Sequence, residues 1–471
     1  VPGPAETAST SAAAARIGRT EAIESILQWL YDVAIGLPLT FIILAAGIFL
    51  TVRLRVLQLG QFIFILRSTV GRLARKGAAA GGGEGSGEIT PFQALTTALA
   101  ATIGTGNIAG VATAIFLGGP GAIFWMWVSA FFGMATKYSE VVLAVHYRTR
   151  LEDGFAGGPM YFLEKGLHRR SLALLFALFG ALAAFGIGNM VQANSAADAV
   201  RATFGLPVYL TGFVLAFAGG LVILGGIKRK RIALITSTVV PLMAAFYIIG
   251  SVTILLLFRQ QIFPALGEIF AAAFTGRAAA GGAAGATVLQ AWRFGISRGI
   301  FTNEAGLGSA SIAHAVARTT HPARQGMWGV AEVFIDTHVV CTITALVLLV
   351  TGAWQAGLEG AAMTVEAFNR GLPGNMGQYI VTVGLIFFAF STVLSWAYYG
   401  EKCIQYLAGS ASVQIYRYFW ILFIFIGSLG GLRAVWALAD ILNGLMAFPN
   451  LVGLVGLSGV LSRLTREYFG R

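Results

Sequence analysis

The chain has 471 residues, 57% of them hydrophobic and only 11% charged, and its mean hydropathy is +0.77. So little polar surface cannot close around a water-soluble core, which excludes a soluble fold. The formal charge of +12 sits in short Lys and Arg clusters between hydrophobic runs, where it sets membrane topology rather than a nucleic-acid-binding surface.

Taken in order, the Ala/Ser/Thr-rich stretch from Val1 to Thr20 lacks an apolar core after its basic residues, and residues 1–32 read as a mobile tail with an approach helix. About eleven hydrophobic segments follow, each near the roughly 20 residues needed to cross a hydrocarbon core of about 30 Å. They lie at roughly 33–52, 91–117, 121–147, 171–198, 207–226, 232–258, 284–314, 326–352, 378–403, 413–432 and 434–457, and are numbered here zero to ten. The expectation is an all-α integral membrane protein: an extra helix at 33–52, a first set of five over 91–258, a second over 284–457 and a tail at 458–471. Cys341 and Cys403 fall in separate apolar segments and give neither a disulfide framework nor metal-ligand spacing.

Charge orients this arrangement. The 53–90 connection carries Arg53, Arg55, Arg67, Arg72, Arg75 and Lys76, with a Gly-rich stretch at 81–87. Arg148, Arg150, Lys165, Arg169 and Arg170 follow helix two, and Lys228 to Arg231 follow helix four; Arg463, Arg466 and Arg471 close the chain. The intervening connections are poor in cations, with Arg370 alone between helices seven and eight. Basic connections stay in the cytoplasm, so the amino terminus is expected outside and the carboxyl terminus inside.

Helix one contains Gly104-Thr-Gly-Asn107, and each glycine costs a helix about 1 kcal/mol against alanine, so this stretch invites unwinding in mid-membrane. Unwound backbone survives in lipid only where it lines a cavity or coordinates something. Gly106 and Gly110, four apart, also fit close helix packing. Helix six is again glycine-interrupted, from Phe294 to Gly308. Because five is odd, a second set of five starts from the opposite side of the membrane, which makes the two sets an inverted repeat, by analogy with LeuT-class transporters.

Gly104-Thr-Gly-Asn-Ile-Ala-Gly-Val-Ala-Thr-Ala-Ile115, Gly118-Gly-Pro-Gly-Ala122, Phe124-Trp-Met-Trp127, Gly133-Met-Ala-Thr-Lys137, Phe301-Thr-Asn-Glu-Ala-Gly-Leu-Gly-Ser309, Ala313-His314 and Tyr398-Tyr-Gly-Glu401 resemble the alanine or glycine:cation symporter family. The resemblance spans about residues 30 to 460. It implies a LeuT-type fold with broken helices one and six, sodium as coupling ion with no organic cofactor, alanine or glycine as substrate, and the cytoplasmic membrane of a prokaryote as location.

A zwitterionic substrate needs donors at one end and acceptors at the other. Backbone amides freed at Thr105, Gly106 and Asn107 face the positive end of the second half-helix and suit a carboxylate. Carbonyls freed around Gly295, Ile296 and Ser297 suit the ammonium, with Gln192 as a side-chain partner or as a helix–helix hydrogen bond. Trp396 either caps the methyl side of a small substrate or simply packs. In the LeuT-type arrangement the hydroxyls of Ser391 and Thr392 face the carbonyls of Ala100 and Ile103, and this neutral oxygen cage suits sodium, the other reading being that the hydroxyls bond back to their own helix. A second sodium falls to Thr102 and Asn107. Intramembrane charges point to function by default: Lys137 with Glu140, Arg298 with Glu304, and Asp336 with His338, the last keeping proton coupling open as an alternative. An ion channel also builds filters from broken helices. An enzyme is disfavoured, because no catalytic triad, metal cluster or carboxylate pair shares one depth.

Overall fold

The computed structural model describes residues 36–71, 85–152, 154–225, 229–275, 288–430 and 432–470. The tail at 1–32, residues 81–84 of the Gly-rich stretch, and Arg72, Arg75, Lys76, Lys228, Arg277 and Arg471 lie outside the described residues.

The helices that build the bundle are α1 Leu37–Arg53, α2 Pro91–Thr102, α3 Val111–Gly118, α4 Ala122–His146, α5 Arg170–Phe204, α6 Val208–Leu224 and α7 Arg229–Leu257. They continue with α8 Val288–Asn303, α9 Ala310–His314, α10 Pro322–Val350, α11 Met376–Ala408, α12 Ser412–Leu429, α13 Leu432–Gly456 and α14 Ser458–Phe469. A hairpin of β1 Thr149–Leu151 and β2 Gly154–Ala156 follows α4.

Eleven spans in two inverted sets of five are not what the structure contains. Among the described residues seven helices are long and apolar enough to cross a membrane, or eight if the bent pair of α2 and the Gly106–Gly118 helix counts as one span. The segment at 33–52 becomes α1 and that at 207–226 becomes α6, each 17 residues. At 1.5 Å per residue such a helix reaches only about 25 Å. The segment at 284–314 divides into the 16-residue α8, which carries Arg293 and Arg298, and the five-residue α9. Among the described residues the second set therefore lacks a full first span, and the LeuT-type count of ten core helices plus one gives way to an all-α multi-pass bundle.

Packing follows where the sequence supplies small residues. α4 lies against α8 and the first half of α10, α5 against α11 and α13, and α2 against α7 and α11. α6 turns Gly212, Ala216, Gly219 and Gly220 inward, while Phe213, Phe217 and Leu221 stay exposed. A helix that is apolar on its exposed face as well fits a lipid neighbour rather than water.

One end of the bundle is tied across sequence. Residues 86–89 bridge to 317–319, and the Arg148 guanidinium donates to the carbonyls of Ala315 (2.9 Å), Ala317 (2.8 Å) and Ser86 (2.6 Å). It also lies over the Phe155 ring of β2. This clamp joins the approach to α2, the end of α4 and the segment after α9, so the elements that meet at the site below are fixed at one end.

Candidate functional site

α2 starts firmly: Thr90 and Gln93 form a reciprocal capping box at 3.0 and 3.1 Å. It stops at Thr102, Ile103 turns extended, and the chain resumes at Gly106 with a bend of 53°. The groups released at this break are met by the side chain of Asn107 within it and by Gln192 and Thr392 from other helices. Gly104 N–H donates to Asn107 Oδ1 (2.9 Å), Thr105 N–H to Gln192 Oε1 of α5 (3.4 Å), and the Ala100 carbonyl accepts from Thr392 Oγ1 of α11 (2.9 Å). Thr105, Asn107, Gln192 and Thr392 are all buried. Thr105 Oγ1 has no hydrogen-bond partner among the described residues, as is true of several other buried polar atoms.

Space at the break is set by its glycines. A Cβ on Gly104 would come within 2.8 Å of Thr392 Oγ1, and one on Gly106 within 3.0 Å of Thr302 Oγ1. Wide π-type turns occur at Gly106–Gly110, at Gly186–Met190 in α5 and at Phe334–Cys341 in α10. All three bear on this region. The second lets Gly188 back onto Trp396, where an added Cβ would fall 2.1 Å from the Trp396 Cβ; the third carries Asp336 to Asn107. Such turns are local departures from the α-helical ladder that recur at functional sites.

The sequence-derived candidates divide accordingly. Thr105, Gly106, Asn107, Gln192, Ala100, Ile103 and Thr392 gather at the break. Thr102 Oγ1 turns back to its own helix at Ala98 O (3.2 Å), and Ser391 Oγ likewise to Phe388 O (2.9 Å). Gly295, Ile296 and Ser297 are not beside the break: α8 runs through them as continuous helix, and Gly295 packs on Ala122 and Trp125 of α4. The part of α8 that meets Gly106 is Thr302. Trp396 donates from Nε1 to Glu304 Oε1 (2.9 Å).

The polar partners missed from sequence come from long-range pairing. Asn107 Nδ2 donates to Asp336 Oδ1 (2.8 Å), Thr337 Oγ1 to Asp336 Oδ2 (2.8 Å) and Asn303 Nδ2 to Thr337 Oγ1 (3.1 Å). This chain ties the break to the end of α8. Lys137 pairs with Glu332 of α10 (3.3 Å) rather than Glu140, and Arg298 with Asp440 of α13 (2.9 Å) rather than Glu304. His338 stacks on Phe334, apart from the Asp336 carboxylate's partners. The signal available in the sequence was the expense of each charge in an apolar segment; the partner was not readable.

A bent helix deep in a helical membrane bundle, its freed backbone met by neutral side chains of other helices, is the construction of a membrane carrier. The family model described as the sodium:alanine symporter family matches residues 20–471. An uncharacterized transporter of Haemophilus influenzae is 49% identical over 452 residues, covering 95% of this chain and 97% of that protein. The sodium/alanine symporter AgcS of Methanococcus maripaludis is 51% identical over 436 residues, covering 91% and 93%. The uncharacterized transporter YflA of Bacillus subtilis is 40% identical over 452 residues, covering 95% and 93%. The chain belongs to the sodium:alanine symporter family. It is a multi-pass protein of the prokaryotic cytoplasmic membrane, a sodium-coupled amino-acid symporter and not an enzyme.

Proposed function

We propose that this chain imports alanine or glycine with sodium by alternating access around the break between α2 and α3. The observation that carries the reading is the break itself, where backbone groups are held by neutral side chains and Thr105 Oγ1 is left unpartnered. The substrate carboxylate meets the amides of Thr105, Gly106 and Asn107 at the positive end of the following half-helix, with Gln192 beside them and Trp396 over the side chain. Gly295, Ile296 and Ser297 were candidates for the ammonium; Thr302 is the better-supported neighbour of the break. Sodium takes the carbonyls of Ala100 and Ile103 with the hydroxyls of Thr392 and Ser391. This requires Ser391 Oγ to turn from its own helix, and Thr392 Oγ1 already touches Ala100 O. Uncharged oxygens suit a monovalent cation, whereas divalent ions recruit carboxylates.

The test is tracer alanine uptake into proteoliposomes under an inward sodium gradient, an equal choline gradient or a pH jump. Accumulation only with sodium is expected. Uptake driven by the pH jump and indifferent to sodium would make a proton the coupling ion and overturn the reading.

For orientation, the basic carboxyl-terminal end is taken as cytoplasmic and the amino-terminal end as external. Three spans, α11, α12 and α13, separate Arg370 from Arg466, so the two lie on opposite sides. Both are exposed, and Cys341 and Cys403 are buried. A membrane-impermeant maleimide should label Arg370→Cys in intact cells and Arg466→Cys only after permeabilisation; the reverse pattern would invert the topology.

A further inference from the structure

Helix α8 ends in a loop whose backbone is costly to hold. Glu304 has φ +55, a left-handed conformation that glycine takes freely and glutamate does not, followed by Gly306 at φ +99 and Gly308 at φ +82. A non-glycine residue in that region persists where its surroundings hold it. Those surroundings are explicit. Glu140 of α4 accepts on Oε1 from Gly306 N–H (2.8 Å), Gly308 N–H (3.0 Å) and Asn450 Nδ2 (2.8 Å), and Asn450 also reaches the Gly306 carbonyl (2.8 Å). Glu140, Asn450 and Glu304 are all buried.

The loop so fixed aims one group. Glu304 Oε1 accepts from Trp396 Nε1 at 2.9 Å, and its Oε2 accepts from Ser309 Oγ. An indole N–H is a donor only, and a carboxylate oxygen is among the strongest acceptors it can meet in a buried setting. On its other sides the Trp396 side chain is bounded by Gly188, which has no Cβ to oppose it, and by the Tyr399 ring edge-on at 5.4 Å. Nε1 donates to no other group among the described residues, so Glu304 fixes the rotation of the ring.

We propose that Glu304 is a positioning residue for amino-acid recognition: clamped by Glu140 through the Gly306 and Gly308 amides, it sets the orientation of the Trp396 indole and through it the side-chain end of the substrate pocket. This rests on the reading that Trp396 faces the substrate. Glu304 itself touches no substrate; its effect passes entirely through the ring.

The experiment is a double-mutant cycle on alanine transport in sodium-loaded proteoliposomes, comparing wild type, Glu304→Leu, Trp396→Phe and the double variant, with Glu304→Gln as the conservative form. Glu304→Leu is expected to raise the KM for alanine about tenfold with a smaller change in kcat. Glu304→Gln, which keeps an oxygen for Nε1, should return the KM to within about threefold of wild type. In the Trp396→Phe background Glu304→Leu should add nothing. If Trp396→Phe alone leaves KM unchanged, the substrate-facing reading of Trp396 fails. If Trp396→Phe raises KM and the two effects multiply, the pocket reading stands and the positioning role is overturned. Should Glu304→Leu not fold, Ser309→Ala takes its place, because it frees Oε2 and leaves the loop glycines intact. It is expected to raise KM about threefold in wild type and not in Trp396→Phe, and an unchanged KM in wild type overturns the proposal.

Discussion

Asn107→Ala is expected to abolish sodium-driven alanine uptake while leaving a monodisperse protein in detergent. Asn107 does three things at once: its Oδ1 accepts from Gly104 N–H, and its Nδ2 donates to Asp336 Oδ1 and to the Asp336 carbonyl (3.2 Å). Alanine strands the Gly104 amide at the break and one carboxylate oxygen, Asp336 Oδ1, on α10, each costing about 1–3 kcal/mol. The break keeps its bonds to Gln192 and Thr392 but loses its hold on Gly104 N–H and on α10, so the second half-helix is no longer fixed against the site. A protein of this size, anchored by packing elsewhere, survives that cost; the geometry for substrate does not. Uptake by proteoliposomes of the variant should equal that of empty vesicles. Normal uptake would remove the break from the binding site.

Lys137→Met should produce the largest loss of stability. Lys137 is fully buried, 3.3 Å from Glu332, and the carboxylates of Glu140 and Glu304 also act on it. Glu332 in turn holds His314 (2.9 Å), which meets Gln325 (2.8 Å). Deleting the ammonium leaves these carboxylates without the cation they surround, and breaking a buried ion pair on one side costs about 3–5 kcal/mol. Removing both partners together, as in Lys137→Met with Glu332→Leu, exchanges the pair for apolar groups and should recover much of the loss. Melting temperatures of the purified variants check this: a deep drop for the single substitution and a partial return for the double. A single variant as stable as wild type would show that the pair contributes nothing net.

The residues also show how far sequence reasoning reaches in such a bundle. The bend after Thr102 lies where two glycines flank a β-branched residue, and that weakness is a local property written in the sequence. Gly295 and Gly299 carry the same local signal and the helix runs straight through them. They serve close approach instead, with added Cβ atoms falling 2.2 Å from the Ala122 carbonyl and 2.4 Å from Ser129 Oγ of α4. Propensity cannot tell a glycine that unwinds from one that packs, because the difference lies on the neighbouring helix. The span count failed for a related reason. Apolar runs at 207–226 and 284–314 are visible, but the helix in the second ends where Glu304, Gly306 and Gly308 turn to positive φ, held by long-range bonds to Glu140 and Asn450. Partner choice, Lys137 with Glu332 and Asn107 with Asp336, joins residues some 200 positions apart and has no local trace.

In the proposed coupling sodium is read at the break, where Thr392 Oγ1 lies 2.9 Å from the Ala100 carbonyl. Thr392→Val keeps the shape of the side chain and removes the one oxygen, although the lost hydroxyl makes the change more than a packing swap. If coupling requires ion and substrate to favour the same state, a defect in the ion site should appear first in the sodium dependence and be masked for alanine at saturating sodium. The decisive measurement is the sodium activation curve of alanine uptake at fixed alanine for purified wild type and Thr392→Val. The half-saturating sodium concentration should rise about tenfold, the equivalent of about 1.4 kcal/mol, with little change in alanine KM once sodium saturates; an unchanged sodium half-saturation would contradict the account.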